Sequence, residues 1–192
     1  SEVESFAKTG GLADVAKALP LALKRRGHDV RIVMPYYASI AGREKSQHLG
    51  GFTLPTRPGH TDIPYQVRQM ELDDVPVLLI DFPNYFDRKS LYAENNNAYA
   101  DNGERFAFFS AACLQVSEQI GFKPDIVHCN DWHTALVPML LKTRYANNSF
   151  FQSTRSVLTI HNGAFQGVFE RNQLWALPEV TDTYNESILQ GH

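Results

Sequence analysis

Three short polar clusters in this sequence combine residue types that can do chemistry. The first is Lys8-Thr9-Gly10-Gly11, which runs straight into Leu12-Ala13-Asp14-Val15. Adjacent glycines let backbone approach a ligand closely. The unpaired amides of a helix's first turn favour an anion just ahead of them. Lys8 adds a point charge at the same mouth, so the cluster fits a phosphate or diphosphate. It is not a Walker loop, in which Lys and Ser/Thr follow the glycines. The same residues also fit a Gly-Gly turn capped by Thr9, with Lys8 in solvent. The second cluster is Asp131-Trp132-His133 and the third is His161-Asn162-Gly163. His161 can donate to a sugar hydroxyl or a diphosphate oxygen, and Asn162 both donates and accepts. Asp131 has an ordinary alternative as the cap of a helix beginning at Trp132. His128, Cys129, Asp131 and His133 superficially suit a metal, but strand alternation sends His128 and Cys129 to opposite faces. A Gly-x-Ser-x-Gly nucleophile elbow and a Gly-x-Gly-x-x-Gly fingerprint are both absent from the sequence.

The elements that must hold these clusters read as an α/β chain. Leu12, Val15, Ala16, Leu19 and Leu23 share one stripe of a helix that opens at Gly11, with a kink expected at Pro20 and a basic last turn ended by Gly27. Residues 29–35 form a strand ended by Pro35. Strands over 52–55, 65–72 and 75–81, with turns at Pro58-Gly59 and Asp73-Asp74, predict a hairpin or meander whose most buried part is Val77 to Ile80. Residues 83–103 mix aromatic and amide side chains, which suits sugar faces and hydroxyls as well as an ordinary polar loop. Asp101 or Asn102 is expected to cap a core helix over 104–121, with Phe106, Phe109, Cys113, Val116 and Ile120 as its stripe. Strands over 125–130 and 155–160 end at the second and third clusters. If they lie adjacent, those clusters share the carboxyl edge of a parallel sheet, where α/β folds bind ligands, and the Lys8 loop converges there too. The tail, 170–192, reads as a loose run with Trp175 and Pro178.

Composition narrows the class. At 192 residues, 43% hydrophobic and 20% charged, the chain can build a globular core. A formal charge of −3, without a basic run, gives no case for nucleic acid. Cys113 and Cys129 sit in apolar contexts, so a disulfide framework is not expected, and a cytoplasmic setting is the default. No apolar run reaches membrane-spanning length, and no signal peptide is recognisable. A helix-opening loop in an α/β unit is normally fed by a strand, and Ser1 to Lys8 holds none, so a strand ahead of Ser1 is expected.

Taken together, the motifs resemble one family. Lys8-Thr9-Gly10-Gly11-Leu12-Ala13-Asp14-Val15 with Ala18-Leu19-Pro20, His128-x-Asn130-Asp131-Trp132-His133, and Thr159-Ile160-His161-Asn162 followed by Gln166-Gly167 are similar to the bacterial glycogen synthases and plant starch synthases. The resemblance runs from Ser1 to about Phe169. It implies a Rossmann-like parallel sheet flanked by helices, the amino-terminal half of a GT-B glycosyltransferase, with a β-hairpin or meander insertion. Residues 1–192 would then be a single acceptor-side domain, incomplete at both ends, whose carboxyl-terminal nucleotide-binding partner is absent. The implied reaction moves glucose from ADP-glucose to the non-reducing end of an alpha-1,4-glucan with retention. Lys8, Gly10 and Gly11 would face the donor diphosphate, and His161 the transferred glucose. Asp14, Tyr92, Asp131, Trp132, His133 and Asn162 would line the acceptor side. No metal, cofactor, nucleic acid or membrane is expected, and the setting would be the cytoplasm, or a plastid for a plant source. The absent domain would supply the base pocket, an Arg/Lys pair and a glutamate, so the chain alone is expected to be inactive. Phe86 and Phe165 stand where the family usually has Tyr. The competing readings are a non-catalytic maltodextrin-binding module and another GT-B transferase, such as a sucrose-forming one.

Overall fold

The computed structural model describes residues 1–177, so Pro178 and the rest of the expected tail lie outside the described residues. The chain forms two compact units. The first is Ser1–Thr53 with Pro64–Tyr99, and the second is Leu54–Ile63 with Ala100–His192, described up to residue 177.

In the first unit, helix α1 spans Gly11–Arg25 and runs through Pro20. Its end is set by Gly27, whose φ of +88° suits glycine. The Gly27 amide donates to Lys24 and the His28 amide to Leu23, the paired bonds of a Schellman turn. The stripe is only partly covered: Leu12 and Ala13 are buried, whereas Val15 is exposed. Strand β1 (Ile32–Pro35) lies parallel to β4 (Val75–Asp81), and β4 is antiparallel to β3 (Ile63–Leu72). With β2 (Gln47–Leu54) the sheet order is β1-β4-β3-β2, so the expected meander is continuous with the parallel pair. The predicted turn at Asp73-Asp74 has both residues at positive φ, the two-residue hairpin geometry whose twist matches its strands. Val77 to Ile80 are fully buried, as their apolar run requires.

The segment expected to be a largely polar loop is more ordered than its composition suggests. It holds a short helix α2 (Pro83–Phe86) and a hairpin of β5 (Ala93–Glu94) and β6 (Asn97–Ala98). Tyr85, Phe86 and Leu91 are buried, with Phe86 edge-on to Tyr37 at 5.8 Å. Phe86 is thus held in place by ring packing.

In the second unit, α3 (Asn102–Gln119) is buried on most sides, including Phe106, Phe108, Phe109, Leu114 and Val116. Each such side chain contributes roughly 1.5–3 kcal/mol on leaving water. Neither expected cap operates through its side chain in the usual way. Asp101 makes no cap bond, and the Asn102 oxygen accepts instead from the Arg105 guanidinium at 2.6 Å. Strands β7 (Ile126–Asn130) and β8 (Arg155–Thr159) pair in parallel, joined through a 3-10 turn at Trp132–Thr134 and helix α4 (Leu136–Lys142). The expected alternation on β7 holds: His128 is exposed, with Nε2 2.7 Å from the Thr159 hydroxyl, while Cys129 is buried. Both cysteines are free thiols. Burial pushes Cys129 up to about 12 and raises Cys113 as well. Among the described residues no helix is long and apolar enough to cross a membrane.

Candidate functional site

The glycine loop of the first unit is held from inside the protein. Glu2, only 3% exposed, lies behind an exposed run from Lys8 to Gly11. Its Oε2 accepts from the Thr9 amide at 2.6 Å and the Gly10 amide at 3.3 Å, and its Oε1 accepts from the Thr9 hydroxyl at 2.6 Å. Thr9 therefore does not cap α1; its side chain is turned to Glu2, and Gly10 stands at the cap position. Lys8 Nζ is paired with Asp14 Oδ1 at 2.5 Å, and the carboxylate holds the ammonium above its ordinary value. Lys17 is likewise paired with Glu4. Tyr92 donates its phenol to Glu2 Oε1 at 2.8 Å, and burial, followed by the nearby Tyr37 and Glu2, holds its pKa well above the usual phenol value. A Cβ built on Gly10 or Gly11 meets nothing within 4 Å. The fold itself thus leaves room for side chains at both positions.

In the second unit, the parallel pairing of β7 and β8 brings two of the predicted clusters together at the strands' carboxyl ends. The Asp131 amide donates to the Thr159 carbonyl at 2.8 Å, and Asp131 Oδ1 accepts from the His161 amide at 2.6 Å. The His161 ring completes the link, with Nε2 2.9 Å from Asn130 Oδ1. With an oxygen as its partner, Nε2 is the donor in this bond. Asp131 does not cap the following turn; its carboxylate reaches across to β8. It sits at φ +58°, ψ −176°, a region that costs a non-glycine residue about 1–3 kcal/mol. Such strain persists where neighbours over-determine the geometry, and the bonds to Thr159 and His161 do so here. Asn162 is exposed, and its side-chain oxygen accepts from the Ala164 amide at 3.0 Å, leaving its amino group toward solvent.

Trp132 and His133 belong to an aromatic cluster that their spacing alone did not reveal. Their rings stack at 4.0 Å and 28°, Phe106 meets both edge-on at 5.0 and 4.8 Å, and Phe169 lies 5.1 Å from Trp132. Gly167, at φ +65°, crosses Trp132 so closely that a Cβ would lie 2.5 Å from it. That close approach is the physical reason for glycine after Gln166. His133 is buried within this cluster, not presented at the surface. Burial, reinforced by Arg105, lowers it from 6.5 to about 2, so the ring stays neutral. Arg105 itself is fully buried, its guanidinium 5.3 Å from the Phe106 ring, and it was not among the expected site residues.

The depressed His133 value has a signed consequence. The unfolded chain takes up this proton first, so the stability His133 contributes is complete above pH 6.5 and is lost as pH falls toward 2. Between pH 6.5 and 5 the loss should reach about 2 kcal/mol. His133→Phe keeps a ring in the stack and removes the titration, so its melting temperature should fall less over that interval. Parallel melting curves for the two proteins against pH would show that His133 titrates normally.

Parallel strands with polar groups at their carboxyl ends, in one unit, and a helix opened by a glycine loop, in the other, are features of an α/β ligand-binding fold. The chain belongs to the family of the starch synthase catalytic domain, whose model matches residues 1–190. It is 64% identical over 182 residues to a glycogen synthase of Aeromonas hydrophila, covering 95% of this chain and 37% of that protein. A glycogen synthase of Vibrio cholerae is 54% identical over 192 residues, covering 100% of this chain and 39% of its own length. Among solved structures, the catalytic domain of starch synthase IV from Arabidopsis thaliana, bound to ADP and acarbose, aligns with a TM-score of 0.80 and 31% identity. That match covers 94% of this chain and 36% of the other. The expected α/β fold class therefore holds, and the chain spans under two fifths of the length of the relatives it matches.

Proposed function

We propose that this chain is part of a retaining glucosyltransferase that moves glucose from ADP-glucose to the non-reducing end of an alpha-1,4-glucan, in glycogen or starch synthesis. The carrying observation is the strained Asp131 tied to His161 at the ends of β7 and β8, an arrangement kept at a local cost in backbone energy. Relatives that are glycogen synthases, and a structural neighbour bound to ADP and acarbose, support the same substrate class.

In this reading Lys8 leaves Asp14 for the donor diphosphate, and the open backbone of Gly10 and Gly11 lets the phosphates come close. A glucosyl hydroxyl donates to His161 Nδ1 or displaces Asn130 from Nε2. Asp14 and Asp131, with the Asn162 amino group, lie on the acceptor side. Tyr92, Trp132 and His133 support that side through packing, because their polar atoms or rings are engaged within the protein. The partners are the nucleotide sugar, the glucan, and the remaining domain of the same enzyme, without which the chain is inactive.

The experiment is transfer of labelled glucose from ADP-glucose to glycogen by a full-length protein carrying this chain. Incorporation is expected; glucan binding without incorporation would make the chain a binding module. In the same protein, Lys8→Ala should raise the donor KM by roughly tenfold to a hundredfold, as expected for losing a charge-assisted hydrogen bond. Lys8→Arg should not restore it, since a planar fork reaches differently from a point charge. An unchanged donor KM and turnover in Lys8→Ala would remove Lys8 from the diphosphate.

A further inference from the structure

Glu2 is the most buried carboxylate among the described residues. Its hydrogen-bond donors are neutral: the Thr9 amide, the Thr9 hydroxyl, the Gly10 amide and the Tyr92 phenol. Tyr92, which is 90 residues away in sequence, is itself fixed by Ser1, whose hydroxyl lies 3.0 Å from the phenol oxygen. A buried carboxylate is costly and persists where several hydrogen bonds compensate. Here three of the four donors come from two consecutive residues of the glycine loop. Loop backbone next to exposed glycines has many conformations available, and Thr9 and Gly10 are the two residues that Glu2 restrains.

We propose that Glu2 is a positioning residue for the Lys8–Gly11 loop. It clamps Thr9 and Gly10 from the buried side, so that Lys8 and the first-turn amides of α1 meet a diphosphate on the exposed side. The inference rests on the reading of that loop as the donor-diphosphate site. It also changes the place of Tyr92, whose hydroxyl serves the donor loop through Glu2 and does not touch substrate. The clamp works by hydrogen-bond geometry. In Glu2→Gln the carboxamide oxygen still accepts from the two amides, while its amino group donates to the Thr9 and Tyr92 hydroxyls, which reverse their roles.

The test is calorimetric titration of ADP, and separately of maltoheptaose, into a full-length protein carrying this chain, with melting temperatures on the same preparations. Glu2→Ala should weaken ADP binding by roughly tenfold or more, while Glu2→Gln stays within about threefold of the parent. Maltoheptaose affinity should be the same in all three. Should Glu2→Ala fail to fold, Glu2→Asp, which withdraws the carboxylate from the loop, carries the same expectation. ADP binding in Glu2→Ala equal to the parent, whatever its melting temperature, would leave Glu2 a purely structural residue. Equal loss of ADP and maltoheptaose affinity, or a well-folded Glu2→Gln as weak as Glu2→Ala, would also overturn the clamp. A parent protein that does not bind ADP would overturn the donor reading itself, and the clamp with it.

Discussion

Replacing His161 with alanine in a full-length protein carrying this chain should leave the melting temperature unchanged and cut turnover by roughly a hundredfold or more, equivalent to about 3 kcal/mol of transition-state stabilisation. The geometry separates the two halves of that expectation. The bond that ties the strand ends together is made by the His161 backbone amide to Asp131, which alanine keeps. The ring adds one hydrogen bond, to Asn130, at a half-buried position, so truncation removes little from the folded state. If the ring instead contacts the glucosyl unit as charge develops at the anomeric carbon, its loss appears in turnover per folded molecule. Thermal unfolding and steady-state kinetics on one preparation decide the matter. A variant that melts early and turns over normally once corrected for folded fraction would make His161 structural.

The 192-residue chain by itself should transfer no glucose. It spans 37% of its Aeromonas relative. GT-B chemistry takes place in a cleft between two domains, where water is excluded and cationic groups face the departing diphosphate. Half of such a cleft can hold groups in place without lowering the barrier to bond cleavage. Purified chain incubated with ADP-glucose and a glycogen primer should show no label in the glucan above the level without protein. Measurable incorporation would mean that the catalytic groups all lie within these residues.

What the sequence made legible was mostly local. The opening of α1 at Gly11, the stop at Gly27, the Asp73-Asp74 hairpin and the burial of Val77 to Ile80 all follow from turn chemistry and spacing within a few residues. The meeting of Asp131 with His161 was also readable, because parallel strands align their carboxyl ends. Other features depend on partners far along the chain. Nothing in Ser1 to Lys8 signals that Glu2 will bind Tyr92. A stripe identifies a helix face without showing how much of it is covered, which is why Val15 is exposed despite its spacing. Asp131 and Asn102 have cap-like positions, but tertiary bonds to His161 and Arg105 outcompete the local ones. Arg105 and His133 read as polar residues in the sequence and are buried by the aromatic rings around them. Their exposure is set by neighbours from other segments, which periodicity does not record.

The two thiols give this fold a built-in clock. Cys129 is buried in the strand that carries Asn130 into the site, and its acidity is suppressed to about 12, so almost none of it is thiolate at neutral pH. An alkylating reagent can capture it only when β7 opens, and the capture rate therefore counts openings of that strand. Cys113, on α3, is only half-buried and can be labelled without such opening, so its rate serves as the internal reference. The ratio of the two labelling rates, taken with and without nucleotide or glucan, would thus reveal a ligand that steadies the strand ends. No reporter need be introduced to make that measurement.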